Sequence, residues 1–378
     1  MRTIARVSAG FICLCFARAG VADDLMFSRM AAITEAPTPH QPAMMPTPPP
    51  IGIVGGRVVK PGQVMLNYQF AHTEKRRLLD GDDGLSTTKV ATLPNHFAGQ
   101  PGQPATYRVA PENMSIDTHM FGVQVGITQK LSAAVGVPYL IKEREAVTFA
   151  GPAGTTKLGT FQNETSGIGD VAASGLYKLY DDETHHIHVM FGLSFPTGSI
   201  REDGRTLAPD GTTSRRRLAY GLQLGTGTYD LLPGVTYWGA AGRWNWGAQV
   251  LGRIHLGDND EGYSFGDRVY ATGWGGYSLG LGFNASARLI QEYQGDIDGE
   301  DDFLTGPTPT TDPNNYGGWK TSAAVGIGYR VPDGPLAGLN PGVEVSLPLY
   351  QNLNGPQLSD SWSVLVGVRK VFTFSTAG

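Results

Sequence analysis

Apolar and polar positions alternate along most of this chain from residue 63 onward. In "SGIGDVAASGLYKLYDDETHHIHVMFGLSFPTGS" (166–199), Val171, Ala173, Gly175, Tyr177 and Leu179 share one parity. Ile187, Val189, Phe191, Leu193 and Phe195 share it again after the polar break at 181–185. Side chains alternate across a strand, so a hairpin of the two runs turns an apolar stripe to one side. The other side carries Asp170, Ser174, Lys178, His186, His188 and Ser194. The pattern recurs, as in Val64, Leu66, Tyr68 and Phe70, and in Phe121, Val123, Val125 and Ile127. It predicts twelve strands, starting near 63, 115, 131, 167, 186, 229, 244, 267, 279, 319, 342 and 361. Most have the length of about ten residues that a tilted strand needs to cross a bilayer.

The connections sort by length. Long ones are expected at 74–114, 146–166, 198–228, 256–266, 292–318 and 351–360. Short ones are expected at 128–130, 181–185, 240–243 and around Gly275-Gly276, with 331–341 intermediate. This alternation suits a barrel with tight turns at one end and long loops at the other. "RRRLAYGLQLGTGT" (215–228) also alternates, but a separate strand there would break the order, so it reads as a strand-like extension of a loop.

What faces the apolar stripe decides the class. The stripe recurs on nearly every strand, and aromatics such as Tyr139, Trp244, Trp319 and Phe372 gather at strand ends, as interfacial girdles do. Lipid is therefore the expected neighbour. The barrel must close, because an open edge in hydrocarbon leaves unpaired amides. The fold class is all-β: a closed antiparallel transmembrane β-barrel of about twelve strands over 63–374. The polar face then lines a lumen, with Lys142, Arg144, Asp170, Lys178, Arg253, Arg288, Glu344 and Arg369. Bases outnumber acids among these, which predicts a mild anion preference, and twelve strands make a narrow bore that long Arg and Lys side chains would fill, which predicts a small conductance.

Upstream, residues 1–22 read as a signal peptide: Arg2 and Arg6, an apolar run over 7–17, and small residues before Asp23. Residues 23–62, with "APTPHQPAMMPTPPP", read as a Pro-rich periplasmic leader without a core of its own. Both cysteines, Cys13 and Cys15, fall in the signal, so the mature chain is held without disulfides. Cleavage leaves 26 basic against 34 acidic residues, a net charge of −8, which argues against nucleic acid as a partner.

Candidate chemistry is sparse. His186 and His188 share a face two residues apart and could bind a metal, but a second ligand cluster is not visible. "GDIDGEDD" offers Asp296 and Asp298 in an acidic loop, without EF-hand spacing. No Gly-x-Ser-x-Gly, His-Glu-x-x-His or phosphate loop occurs, so no enzyme and no cofactor is expected.

Several pieces together resemble a known family: "GIGDVAASGLYKLYDDETHHIHVMFGLSFPTGS", "YGLQLGTGTYDLLPGVTY" (220–237), "GRWNWGAQVLGRIHLGDNDEGYSFGDR" (242–268) and "LPLYQNLNGPQLSDSW" (347–362). It is the outer-membrane β-barrel family labelled for the meta-pathway of phenol degradation. The resemblance spans most of the chain from about residue 63. It implies a transporter-like barrel for small, often hydrophobic or aromatic compounds. The leading expectation is thus an outer-membrane channel for small solutes, exported through a cleaved signal. Its expected partners are outer-membrane lipid, lipopolysaccharide and the barrel-assembly machinery; "SWSVLVGVRKVFTF" resembles the strand that machinery recognises. The alternatives are an accessory or metal-linked barrel without an open pore, a lipid-modifying barrel enzyme, and a soluble carbohydrate-binding β-protein.

Overall fold

A computed structural model describes residues 49–374. The predicted signal peptide and the first part of the leader lie outside them. Strands follow in chain order, starting with β1 (Gln63–Gly81), β2 (Asp83–Leu85), a short helix α1 (Thr87–Val90), β3 (Val109–Gly126), β4 (Leu131–Phe149) and β5 (Lys157–Ile168). Next come β6 (Val171–Asp181), β7 (His185–Phe195), β8 (Asp203–Leu207), β9 (Thr213–Arg217), β10 (Asp230–Ala241) and β11 (Trp244–His255). The chain continues through β12 (Tyr263–Ser264), β13 (Arg268–Gly280), β14 (Phe283–Gln294), β15 (Asp298–Gly299), β16 (Gly318–Tyr329) and β17 (Asn340–Thr373). Among the described residues no helix is long and apolar enough to cross a membrane.

The main sheet runs β17-β16-β14-β13-β11-β10-β7-β6-β4-β3-β1 and closes where β1 pairs with β17. Every pair is antiparallel, and an antiparallel ring needs an even number of arms. The strand β17 supplies two of them. Its residues 342–353 register with β16, and its residues 353–373 register with β1. The reversal is direct: Gln351 Nε2 donates to the Asp360 carbonyl at 2.9 Å, and the Asp360 N–H donates back to Gln351 Oε1 at 2.9 Å. Residues that far apart on one extended strand would lie about 30 Å from each other. Gly355, with φ +71, sits at the fold-back, where a side chain would strain the left-handed backbone. The wall therefore has twelve arms, at the expected places.

Two boundaries differ from the sequence expectation. The turn expected at Gly275-Gly276 lies instead at 280–282, where Gly280, Leu281 and Gly282 all have positive φ. Gly275 and Gly276 stay in β13, paired with Trp246 and Asn245. The expected loop 146–166 is largely strand. The lower part of β4 pairs with β6 and its upper part with β5, so β5 and β6 make one wall arm broken at Gly169-Asp170. The wall thus rises past the bilayer at the long-loop end. The segment 215–228 adds no wall strand: β9 pairs with β8 in a separate hairpin, and one turn of 3-10 helix follows at Tyr220–Leu222.

The burial pattern is inverted relative to a water-soluble sheet. Phe191 is 64% exposed on the outside, whereas inward Gln249 is 2% exposed. Phe121, Val250, Val325 and Val366 are also exposed outward. Such an apolar exterior on every arm is matched by lipid. Aromatic pairs mark its edges: Trp244–Tyr277 and Phe283–Tyr329 at the tight-turn end, Tyr293–Trp319 at the other. Among the described residues, clusters of buried apolar side chains gather among the upper strand ends and loops. One gathers Leu78, Val90, Tyr107 and Phe149; another, Tyr220, Tyr263, Ile297 and Leu304.

Candidate functional site

The barrel encloses a chamber of about 960 Å³. Its floor is the described end of the leader. This corrects the expectation of a leader without a core: Ile51, Ile53 and Val59 are buried. The wall holds this segment by its backbone. Gln69 Nε2 donates to the Ile51 carbonyl (2.6 Å), Gln249 Nε2 to Val54 (2.7 Å) and Gln124 Nε2 to Arg57 (2.9 Å). His188 Nε2 meets the Gly55 carbonyl at 2.8 Å, and Arg369 Nη2 donates to Pro49 and Pro50, each at 2.9 Å. Donors come from β1, β3, β7, β11 and β17, around the whole ring. At Gly52 a Cβ would lie 2.5 Å from Arg288 Nη2 and 2.7 Å from Glu344 Oε1, so a side chain there would have to displace that ion pair.

The chamber wall has two halves. On the arc β13–β14–β16–β17–β1 it is ionic: Lys75 and Lys320 meet Asp360 at 2.8 and 2.7 Å, Arg268 meets Glu292 at 2.6 Å, and Arg288 pairs with Glu344 and Tyr270. On β3, β7, β10 and β11 it is mainly apolar, with Met114, Met120, Met190, Leu232 and Leu251. A small solute inside would meet hydrocarbon on one side and fixed ion pairs on the other.

Loops close the top. Lys142 Nζ donates to the Gly221 carbonyl at 3.1 Å and also to that of Gln223, drawing the turn at 220–222 over the chamber. Tyr316 caps the same turn by accepting from the Gly221 N–H at 3.3 Å. Burial pushes the Tyr220 and Tyr316 hydroxyls up, so both stay protonated; Tyr316 donates to the Thr310 carbonyl at 2.7 Å, and Tyr220 accepts from the Asp301 N–H at 3.0 Å. Asp170, at the break between β5 and β6, accepts from the N–H groups of Gly198 (3.0 Å) and Thr226 (2.8 Å) and pins the loop's two ends. Above lies an outer vestibule of about 760 Å³, bordered by the β8–β9 hairpin and by 303–308. Arg144 and Ala219 line both cavities.

The residues expected to line the lumen are distributed from rim to rim. Lys178 sits near the tight-turn end, 2.7 Å from Asp181. Arg253 meets buried Asp230 at 3.1 Å, and His255 shares that carboxylate at 2.7 Å. Arg288 has Glu344; Arg369 has the leader's carbonyls. The simple excess of bases is therefore reduced, since Lys178, Arg253 and Arg288 all have acidic partners. Sequence reasoning missed Lys75, Arg268, Glu292 and Asp360, which lie on strand lengths read as loops or loop edges. The signal was available in β1, where Gln69, Ala71, Thr73 and Lys75 keep one parity.

The metal candidates do not converge. His186 bonds Asp181 at 2.6 Å and stacks on Trp238, while His188 is spent on the leader. Asp298 lies in the β12–β15 pairing, and Asp296 accepts from Asn354. Among the described residues no group of three or more His, Cys, Asp or Glu could hold a metal ion.

No family model matches the sequence, and no curated protein matches it. Solved structures do. An outer membrane channel from Pseudomonas putida F1 superposes with a TM-score of 0.52 at 14% identity, covering 83% of this chain and 97% of that one. This likeness establishes the fold: a closed outer-membrane-type β-barrel. A FadL homologue from Pseudomonas aeruginosa (TM-score 0.39, 10% identity, 83% of this chain and 90% of that one) is more distant. So is the toluene transporter TodX from P. putida (0.39, 11%, 84% and 94%).

Proposed function

We propose that this chain is an outer-membrane channel for small solutes, closed at rest by its own residues 49–62. The observation that carries this reading is the chamber inside the barrel, with an apolar exterior around it and the leader's floor beneath it. The floor is held through its carbonyls and through buried Ile51, Ile53 and Val59, so opening breaks bonds whose wall donors can turn to water and exposes three apolar side chains. The apolar arc supports hydrophobic or aromatic solutes. That agrees with the sequence resemblance to the phenol meta-pathway family, and the printed name of the P. putida F1 structure, an outer membrane channel, agrees with the channel reading. Insertion by the barrel-assembly machinery, contact with lipopolysaccharide and export through a cleaved signal belong to the same proposal. Uptake by intact cells tests it. A deletion strain should take up a labelled monoaromatic hydrocarbon several-fold more slowly than the complemented strain, with glucose uptake unchanged. Equal hydrocarbon rates would remove the channel reading.

The second reading, an accessory barrel with no open path, is favoured by the number of bonds holding the floor. Conductance separates the two.

A further inference from the structure

Arg144 differs from Arg288, the buried lumen base that is paired with Glu344. It is 7% exposed, lies at the junction of vestibule and chamber, and has no carboxylate within ion-pair distance among the described residues. Its Nη2 donates to Asn163 Oδ1 at 3.0 Å and its Nη1 to Thr310 Oγ1 at 3.3 Å; its Nε–H is buried with no partner. Lys142, two residues earlier on the same face of β4, is met only by carbonyl oxygens. A buried cation without an anion is costly in the free protein, and a ligand that brings the anion removes that cost.

We propose that Arg144 and Lys142 form the binding site for the carboxylate of a small apolar organic acid, at the passage from vestibule to chamber. The proposal rests on the channel reading and adds aromatic acids to the aromatic solutes it names. Guanidinium donors left open suit a planar carboxylate. The vestibule adds what the rest of such a molecule needs: Phe161, Phe303 and Pro307 beside exposed Arg215 and Arg216, which have no acidic partner among the described residues. Its volume of about 760 Å³ suits a ligand of one or two rings. The arginines at the mouth would draw the acid in, and the buried pair would hold it.

Benzoate is the probe, titrated calorimetrically into the full chain in detergent, with benzyl alcohol as its neutral counterpart. Benzoate should bind the unaltered protein at least tenfold more tightly than benzyl alcohol does. Arg144→Gln should weaken benzoate at least tenfold and leave benzyl alcohol unchanged. Equal benzoate affinity in Arg144→Gln, or benzyl alcohol binding as tightly as benzoate, would overturn the site. Should Arg144→Gln fail to give a heat-modifiable folded barrel, competition on the unaltered protein decides. Inorganic phosphate that displaces benzoate at equal concentration would show a phosphate site instead; failure to displace it supports the organic acid. Binding is read without transport. Uptake that fails while Arg144-dependent benzoate binding persists therefore removes the channel reading and leaves this site standing, and the reverse result removes only the site.

Discussion

At the scale of single residues, which way a side chain points was legible, and what it meets was not. Parity alone assigns Phe191 outward and Gln249 inward, since alternation is a property of the strand itself. Partners are a property of register and closure. Arg288 and Glu344 are 56 residues apart, and Arg253 finds its acid at Asp230, at the start of the neighbouring strand, so a tally of bases and acids along the chain overstated the free charge. Two substitutions test this scale. Phe191→Arg, placed mid-strand against lipid, should cost about 2–4 kcal/mol. Reversible urea unfolding in lipid vesicles would read the loss, and an unchanged midpoint would place Phe191 away from lipid. Glu344→Gln should cost about 3–5 kcal/mol, because it strands the Arg288 guanidinium in a buried setting. Its side chain and that of Arg288 are 4% and 5% exposed. A loss below about 1 kcal/mol, the range of exposed pairs, would mean that water reaches them.

At the scale of elements, the twelve wall arms were legible because each must span a bilayer and keep one apolar face while doing so. Their upper ends were not. Above the lipid, β1, β4 and β17 continue in water, where outward residues such as Arg76 and Glu143 break the stripe without ending the strand. The leader was the largest surprise. "PPPIGIVGG" reads as linker because its hydrogen bonds run through carbonyls, which every residue has, and its few apolar side chains are buried only by a wall far away in sequence. Only its glycines, Gly52 above all, hint at close passage. Gly52→Leu should push the floor off the Arg288–Glu344 pair. With a cysteine substituted for Val54 as reporter, a membrane-impermeant maleimide should then label it several-fold faster than in the chain with Gly52. Equal labelling rates would mean the floor tolerates the added side chain.

At the scale of the whole molecule, the fold is a wall with two closures. One is built from the leader and the other from loops that meet at Tyr220 and Tyr316. Neither closure could be read from periodicity, because each depends on what the ring brings face to face. The central claim is that residues 49–62 close the lumen of a channel. Planar-bilayer recording tests it most directly, comparing the full chain with one lacking residues 49–60. The account predicts a full-length chain that is silent or opens briefly, and a truncated chain that gives steady ohmic steps. The same conductance from both chains, or none from either with the barrels folded, would contradict it.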